Sequence, residues 1–272
     1  MNLSGYTNLQ QRVISAVVLA VVVLIVTWLG GLPFRALAVI IGAAMFFEWV
    51  AMTPGGLKTG RLLPAGMFAI VAVAVLAGLD AFPVLVALLA AGTVVAVAAE
   101  TAGQGLWLAK GFAYATLSLV ALAFLRADTA AGLTAILFLF AVVWLTDIVA
   151  YFAGRTFGGP RLAPSISPGK TWSGAIGGTV GGVAAGMIVA SVAGSASYGI
   201  FVVALLLSIV TQLGDLFESS VKRFAGVKDS GNLIPGHGGV MDRVDGLVAA
   251  AIALYVIGAL GGSMNFPAST LF

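Results

Sequence analysis

The sequence predicts an all-α polytopic membrane protein of about nine transmembrane helices, and three observations carry that prediction. Of 272 residues, 61% are hydrophobic and only 8% are charged, whereas a soluble domain carries about 25% charged residues. The mean hydropathy is +1.12. Apolar runs of roughly 17–25 residues, the length that crosses a bilayer core, recur along the whole chain.

Residues 1–11 are short and polar, and Arg12 precedes a first apolar run at 13–29. That run lacks a small-residue cleavage site, and another hydrophobic segment follows at once, so it reads as a retained anchor. Further runs follow at 34–52, 62–79, 82–99, 106–125, 130–153, 173–194, 198–219 and 246–262. The turns around Asp80 and at 195–197 are very short. Basic residues set the orientation. Arg12, Lys58, Arg61, Arg155, Arg161, Lys170, Lys222, Arg223, Lys228 and Arg243 fall on one side, against Arg35 and Arg126 on the other. The N-terminus is therefore expected in the cytoplasm and the C-terminus outside, which an odd number of spans requires.

The first five helices, residues 1–128, read as scaffold. Their acidic residues are sparse: Glu48 and Glu100 near span ends, Asp80 and Asp128 in outer turns, all read as solvated interfacial groups. Residues 129–272 read as the catalytic region, with cytoplasmic loops at 154–172 and 220–245. The glycine series GAIGGTVGGVAAG at 174–186 reads as a helix contact face in lipid. No strand precedes it, so a nucleotide-binding loop is disfavoured. With no cysteine there is neither a disulfide framework nor a thiolate metal site. Nothing basic and arm-like points to nucleic acid.

The chemistry concentrates late in the chain. Nine of the 23 Lys, Arg, Asp and Glu residues fall in the 31 positions 215–245, together with the single histidine, His237. Polar groups beside hydrocarbon are costly and mark functional sites by default. Asp215 and Glu218 are spaced i, i+3 and share a helix face, and Asp242 and Asp245 repeat that spacing where the last helix begins. Crowded carboxylates repel unless a cation joins them. Oxygen-only donors point to Mg2+ rather than zinc. Asp245 also has a plain reading as the N-cap of the last helix. Between the acidic pairs, Lys222, Arg223, Lys228 and Asp229 precede a glycine turn at 235–239, a composition suited to a metal-bound polyphosphate. Upstream, Asp147 sits deep in WLTDIVAYFAGRTFGG, either paired with Arg155 or a neighbouring helix, or part of the site. The loop after it alternates Arg155, Arg161 and Lys170 with hydroxyls and glycines, so it could hold phosphate oxygens or simply obey the charge bias. These residues describe a cytoplasm-facing, Mg2+-dependent phosphate chemistry at the membrane surface.

The run SVKRFAGVKDSGNLIPGHGGVMDRVD, residues 220–245, resembles the signature of the phosphatidate cytidylyltransferases, also called CDP-diacylglycerol synthases. The matching positions are Ser220, Lys222, Arg223, Lys228, Asp229, His237, Gly238, Gly239, Asp242, Arg243 and Asp245. Asp147, Tyr151, Gly154, Arg155, Ser167, Pro168, Lys170 and Thr171 are similar to the family's second region. Ser173-Gly174 stands where that family usually has Glu-Gly. The resemblance is strong over residues 144–250, and the first half matches only as a hydrophobic bundle.

The resemblance implies a nine-helix homodimer in the cell (inner, plasma) membrane, converting CTP and phosphatidic acid to CDP-diacylglycerol and pyrophosphate. It implies Asp215 and Asp242 as leading Mg2+ ligands, beside a second cation such as K+, with Asp147, Asp245 and Glu218 in support. Lys228 and His237 join the catalytic set. Lys222, Arg223, Lys228 and Arg243 would hold the triphosphate, with Asp229, Gly238 and Gly239 in the same loop. Lys170 and Arg155, with Ser167 and Thr171, would lie near the lipid phosphate or the nucleotide. Two rivals stand beside it. A transporter would share intramembrane carboxylates and glycine-broken helices, but the two halves of this chain show no internal repeat. A CTP-using lipid kinase would leave CDP rather than pyrophosphate.

Overall fold

Nine α-helices follow one another in the computed structural model, which describes residues 8–54, 60–103, 105–234 and 238–272, with side chains from Val17 onward. They are α1 (Asn8–Leu29), α2 (Gly31–Ala51), α3 (Leu62–Leu76), α4 (Ala81–Thr101), α5 (Trp107–Arg126), α6 (Ala130–Phe157), α7 (Trp172–Val192), α8 (Tyr198–Phe224) and α9 (Met241–Gly261). Among the described residues, seven of them, all but α1 and α3, are long and apolar enough to cross a membrane. The chain is an all-α, multi-pass membrane protein, as the hydropathy predicts. The Arg12 side chain, Lys58 and His237 lie outside the described residues.

Local chemistry sets several boundaries. Hydroxyls of Thr129, Thr171 and Ser197 accept from the amides of Gly132, Gly174 and Ile200 and cap α6, α7 and α8, each meeting an amide that has no partner within its helix. At the far end of the bundle Arg126 is buried. Its guanidinium donates to the Thr27 and Trp28 carbonyls at 2.6 and 3.1 Å, so it closes the C-terminus of α1. Arg35 pairs there with Asp128 at 3.1 Å. Asp80 accepts from Asn265. Both acidic residues are exposed, as read from sequence.

Three helices run further than the hydropathy predicts. α6 continues to Phe157 rather than ending near Gly154, so Asp147 lies ten residues inside the helix end. α8 reaches Phe224, and α9 begins at Met241. The polar segment read as a loop over 220–245 is thus a shorter connection flanked by helical turns. Hydropathy windows stop where charge begins, but backbone hydrogen bonding continues past that point. The segment after α6 is also ordered: β1 (Arg161–Ala163) pairs antiparallel with β2 (Ser167–Thr171), Arg161 opposite Thr171.

The glycine series is a helix contact face. Gly174, Gly178, Gly182 and Gly186 are buried along one side of α7. A Cβ at Gly178 would stand 2.7 Å from the Thr146 carbonyl of α6, and one at Gly182 would stand 2.8 Å from that of Val142. Small residues let the two backbones close on each other. Gly178→Leu is therefore expected to destabilise the protein by about 1–3 kcal/mol or more through overpacking. An unchanged melting temperature of the detergent-purified variant would remove this role for the stripe.

Candidate active site

Two glycines explain how the acidic helices meet. A Cβ at Gly214 of α8 would lie 2.8 Å from the Asp245 carbonyl, and one at Gly246 of α9 would lie 3.1 Å from that of Thr211. Each glycine neighbours a carboxylate in sequence, so the close approach brings Asp215 and Asp245 together. Tyr114 of α5 supports the crossing from behind, donating to the Asp245 carbonyl at 3.3 Å. Asp245 is not the N-cap of α9: it is the fifth residue of the helix, and its Oδ1 accepts from the next amide, Gly246. Asp147 of α6 and Asp245 both sit in the electrostatic field of Asp215 and Lys170. Lys170, on β2, reaches Asp215 at 2.5 Å. Asp215 is the carboxylate that pairs with Lys170, and Asp147 and Asp245 lie farther off in the same field.

These groups border a cavity of about 560 Å³ between α6, the β1–β2 hairpin, α7 and α8. Asp147, Tyr151, Gly154, Arg155, Ser167, Lys170, Thr171 and Asp215 all line it, so the upstream set of sequence-predicted residues converges apart from Pro168. Arg161, which the sequence grouped only with the basic loop, lines it too and donates to the Gly169 carbonyl. Arg155 donates to the Tyr151 hydroxyl at 3.2 Å rather than pairing with Asp147. Thr171 has a structural duty as well, since its hydroxyl caps α7. Beside it lies a second space of about 510 Å³, walled by Trp172, Ile176, Val180, Ile209 and Leu213. Leu162, Ala175 and Gln212 belong to both. Gln212 donates to Thr179 at 3.0 Å, tying α8 to α7 at the junction. The walls of the second space are exposed apolar side chains on the bundle flank, where lipid lies. A chamber carrying Lys170, Arg155 and Arg161 therefore adjoins an apolar groove, with three residues in the shared wall.

The second acidic pair is organised differently. Lys222 stands 2.6 Å from Glu218 and 2.6 Å from Asp242, and both carboxylates are largely buried. Lys222, one turn beyond Glu218 on α8, is thereby committed to protein carboxylates rather than left open to a triphosphate. The other oxygen of Asp242, Oδ2, accepts from the amide and hydroxyl of Ser230, each at 3.0 Å, and from the Gly239 amide at 3.1 Å. The sequence expectation of four carboxylates converging on one metal differs from this arrangement. Among the described residues, no group of three or more Asp, Glu or His stands close enough to hold an ion. The physical reason is that lysines at helical and hairpin spacing occupy the cation positions.

Glu48 is the residue that sequence reasoning missed. Read as a solvated end group, it is 1% exposed. Its Oε1 accepts from Val240 at 2.8 Å, and its Oε2 from Met241 at 2.8 Å and from the Ser230 hydroxyl at 2.9 Å. Its position one turn before the end of α2 looked interfacial, and no local signal announces a partner some 190 residues away. Trp49 beside it stacks on Trp107 and Phe217, and Trp107 on Phe224, an aromatic layer joining α2 and α5 to α8. Arg223, Lys228, Asp229 and Arg243 are exposed around this second cluster. Arg223 donates to the Ile166 carbonyl of the hairpin turn.

The chain matches the family model described as the cytidylyltransferase family over residues 10–260. It is 49% identical to the phosphatidate cytidylyltransferase of Brucella suis biovar 1 (strain 1330), over 98% of this chain and 99% of that protein. With the phosphatidate cytidylyltransferase of Bacillus subtilis (strain 168) it shares 32% identity, over 93% of this chain and 98% of that protein. Similarity to the protein so named in Haemophilus influenzae (strain ATCC 51907 / DSM 11121 / KW20 / Rd) is 43% over 44% of this chain and 43% of that protein.

Proposed function

The chain belongs to the cytidylyltransferase family, and on that premise we propose that it is a phosphatidate cytidylyltransferase, making CDP-diacylglycerol and pyrophosphate from CTP and phosphatidic acid. The observation that carries this reading is the chamber with Lys170, Arg155 and Arg161 lying against an apolar groove. Such a pair of spaces suits an amphiphile with a phosphate head and acyl tails. We place the N-terminus and the chamber on the cytoplasmic side of the cell membrane, because ten basic residues lie on that side against two. The protein would act as a homodimer, as the resemblance implies.

In the reaction a phosphate oxygen of phosphatidic acid attacks the α-phosphorus of CTP in line. A new P–O bond forms as the α–β phosphoanhydride bond breaks, and the electron pair leaves on pyrophosphate. The nucleophile is already an anion, so no protein base is required. The obstacle is repulsion between two polyanions. Lys170, held by Asp215, and Arg155, held by Tyr151, offer positive charge to the lipid phosphate in fixed positions, the contribution expected from positioning and preorganised electrostatics. The groove keeps the tails in lipid while the head reacts.

Mg2+ suits the donor set here, which is oxygen only: Asp215 beside Lys170, with Asp147 and Asp245 in the same electrostatic neighbourhood. The ion ordinarily takes one or two carboxylates and completes its shell with water and substrate phosphates, so a cage of three protein ligands is unnecessary. Asp215 with Asp245, and Asp147 in support, would hold it, and when bound it neutralises triphosphate oxygens. Asp242 and Glu218 act instead by holding Lys222 and the loop before α9.

The test is pyrophosphate release by the detergent-purified protein given CTP, phosphatidic acid and Mg2+, with each omitted in turn. Release that needs all three, with a CMP-containing lipid product, is the expected result. CDP as the soluble product would establish a lipid kinase instead, and no nucleotide turnover would reopen transport.

A further inference from the structure

We propose that Glu48, in the N-terminal half, is a positioning residue for the nucleotide end of the site, acting as a remote N-cap of α9 that latches the 225–240 loop. Val240, the residue before α9, makes no side-chain cap of its own. The first amides of a helix lack intrahelical partners and carry the positive end of its dipole. Glu48 meets both needs from another helix, one oxygen on Val240 and the other on Met241.

The same carboxylate holds the loop. The Ser230 hydroxyl stands 2.9 Å from Glu48 Oε2 and 3.0 Å from Asp242 Oδ2, so its one proton is shared between the two acids it lies between. Asp242 in turn holds Lys222. One connected chain of polar contacts therefore runs from α2 through the loop and α9 to α8. The glycines of the loop are shaped to it. A Cβ at Gly231 would stand 2.8 Å from Glu48 Oε1, and one at Gly239 would stand 2.7 Å from Oε2. Those two glycines make room for a protein carboxylate, where the sequence suggested room for a ligand. Gly238, directly before Gly239, has φ +85°, in the left-handed region that favours glycine.

This inference rests on the reading that the loop, with Lys228 and Asp229, takes the triphosphate, whereas the lipid chamber contains none of the latch residues. Removing the latch should then affect the two substrates unequally. Glu48→Gln keeps the shape but replaces one acceptor with an NH2 facing a donor. The expected result is a KM for CTP raised about tenfold and kcat lowered about tenfold, with the KM for phosphatidic acid within about threefold of wild type. Ser230→Ala should give part of that loss, and the double variant little more than Glu48→Gln alone, since both cut one connection. Glu48→Asp should recover part of it. Hydrogen–deuterium exchange of the unliganded protein supplies a readout independent of turnover: amides over 230–241 should exchange faster in Glu48→Gln, with α6 and α7 unchanged. Unchanged exchange there would overturn the latch. So would kcat falling only in proportion to a lost folded fraction, with both KM values unmoved. A wild-type protein that releases no pyrophosphate would instead defeat the proposed reaction, and the exchange result would stand by itself.

Discussion

Asp215→Asn is expected to lower turnover about 10³-fold while leaving the protein folded, the size seen when one preorganised electrostatic element is lost from a site. Asp215 lies where α8 and α9 are closest, because Gly214 and Gly246 admit the partner backbone there. Its carboxylate holds Lys170 at 2.5 Å and accepts from Ser219 at 3.4 Å. Asparagine keeps the shape and removes the charge. Lys170 then loses the partner that aims it into the chamber, and the proposed Mg2+ position loses its central ligand. Stability should barely move. The pair is 24% and 35% exposed, and ion pairs of that kind contribute about 1 kcal/mol or less. Steady-state pyrophosphate release across an Mg2+ titration, beside a melting curve, separates the two effects. Turnover within threefold of wild type at equal Mg2+ would remove Asp215 from the reaction.

Asp242→Ala is the second large effect, reached by a different route. This side chain is 8% exposed and satisfies four donors: Lys222 Nζ, the Ser230 amide, the Ser230 hydroxyl and the Gly239 amide. Truncation leaves Lys222 shared with Glu218 alone. It also leaves the Ser230 and Gly239 amides without the acceptor they share, while the Ser230 hydroxyl keeps Glu48, and each buried group so orphaned costs about 1–3 kcal/mol. The loss is expected to be local, because most of the buried apolar cluster comes from α2, α4, α5 and α6, with Ala225, Val227 and Met241 its contacts at this end. The expected outcome is a monodisperse protein with no measurable turnover and rapid exchange over 230–241. Asp242→Asn keeps an acceptor for the loop but sets an amide against Lys222, so its turnover should lie between the two. Wild-type turnover in the alanine variant would mean that neither Lys222 nor the loop needs this carboxylate.

The upstream half of the site was legible in the sequence. Asp147, Arg155, Ser167, Lys170 and Thr171 were singled out together, and they share one cavity with Asp215. Their signal was chemical type beside a span end, which is a local property. What they do was less legible. Thr171 caps α7, and Arg155 takes the Tyr151 hydroxyl. The sequence gives the hairpin that carries Lys170 over Asp215 only as a loop, since strands of three and five residues leave almost no periodicity. Lys222 was assigned to phosphate because charge type does not say which partner a lysine reaches. Glu48 was set aside because an acid near a span end is ordinarily solvated.

By itself the sequence determined the membrane class, the order of the nine helices found among the described residues and the concentration of polar chemistry near the last two. These follow from hydropathy over windows about as long as a span, and the bilayer leaves the backbone little choice but helix. The tertiary structure alone decided which charges meet. Lys170 pairs with Asp215 across 45 positions and Glu48 caps α9 across 192, through glycines that set how closely the helices approach. A buried carboxylate's partner is chosen by proximity in the packed bundle, and that distance is set by packing contacts spread over several helices.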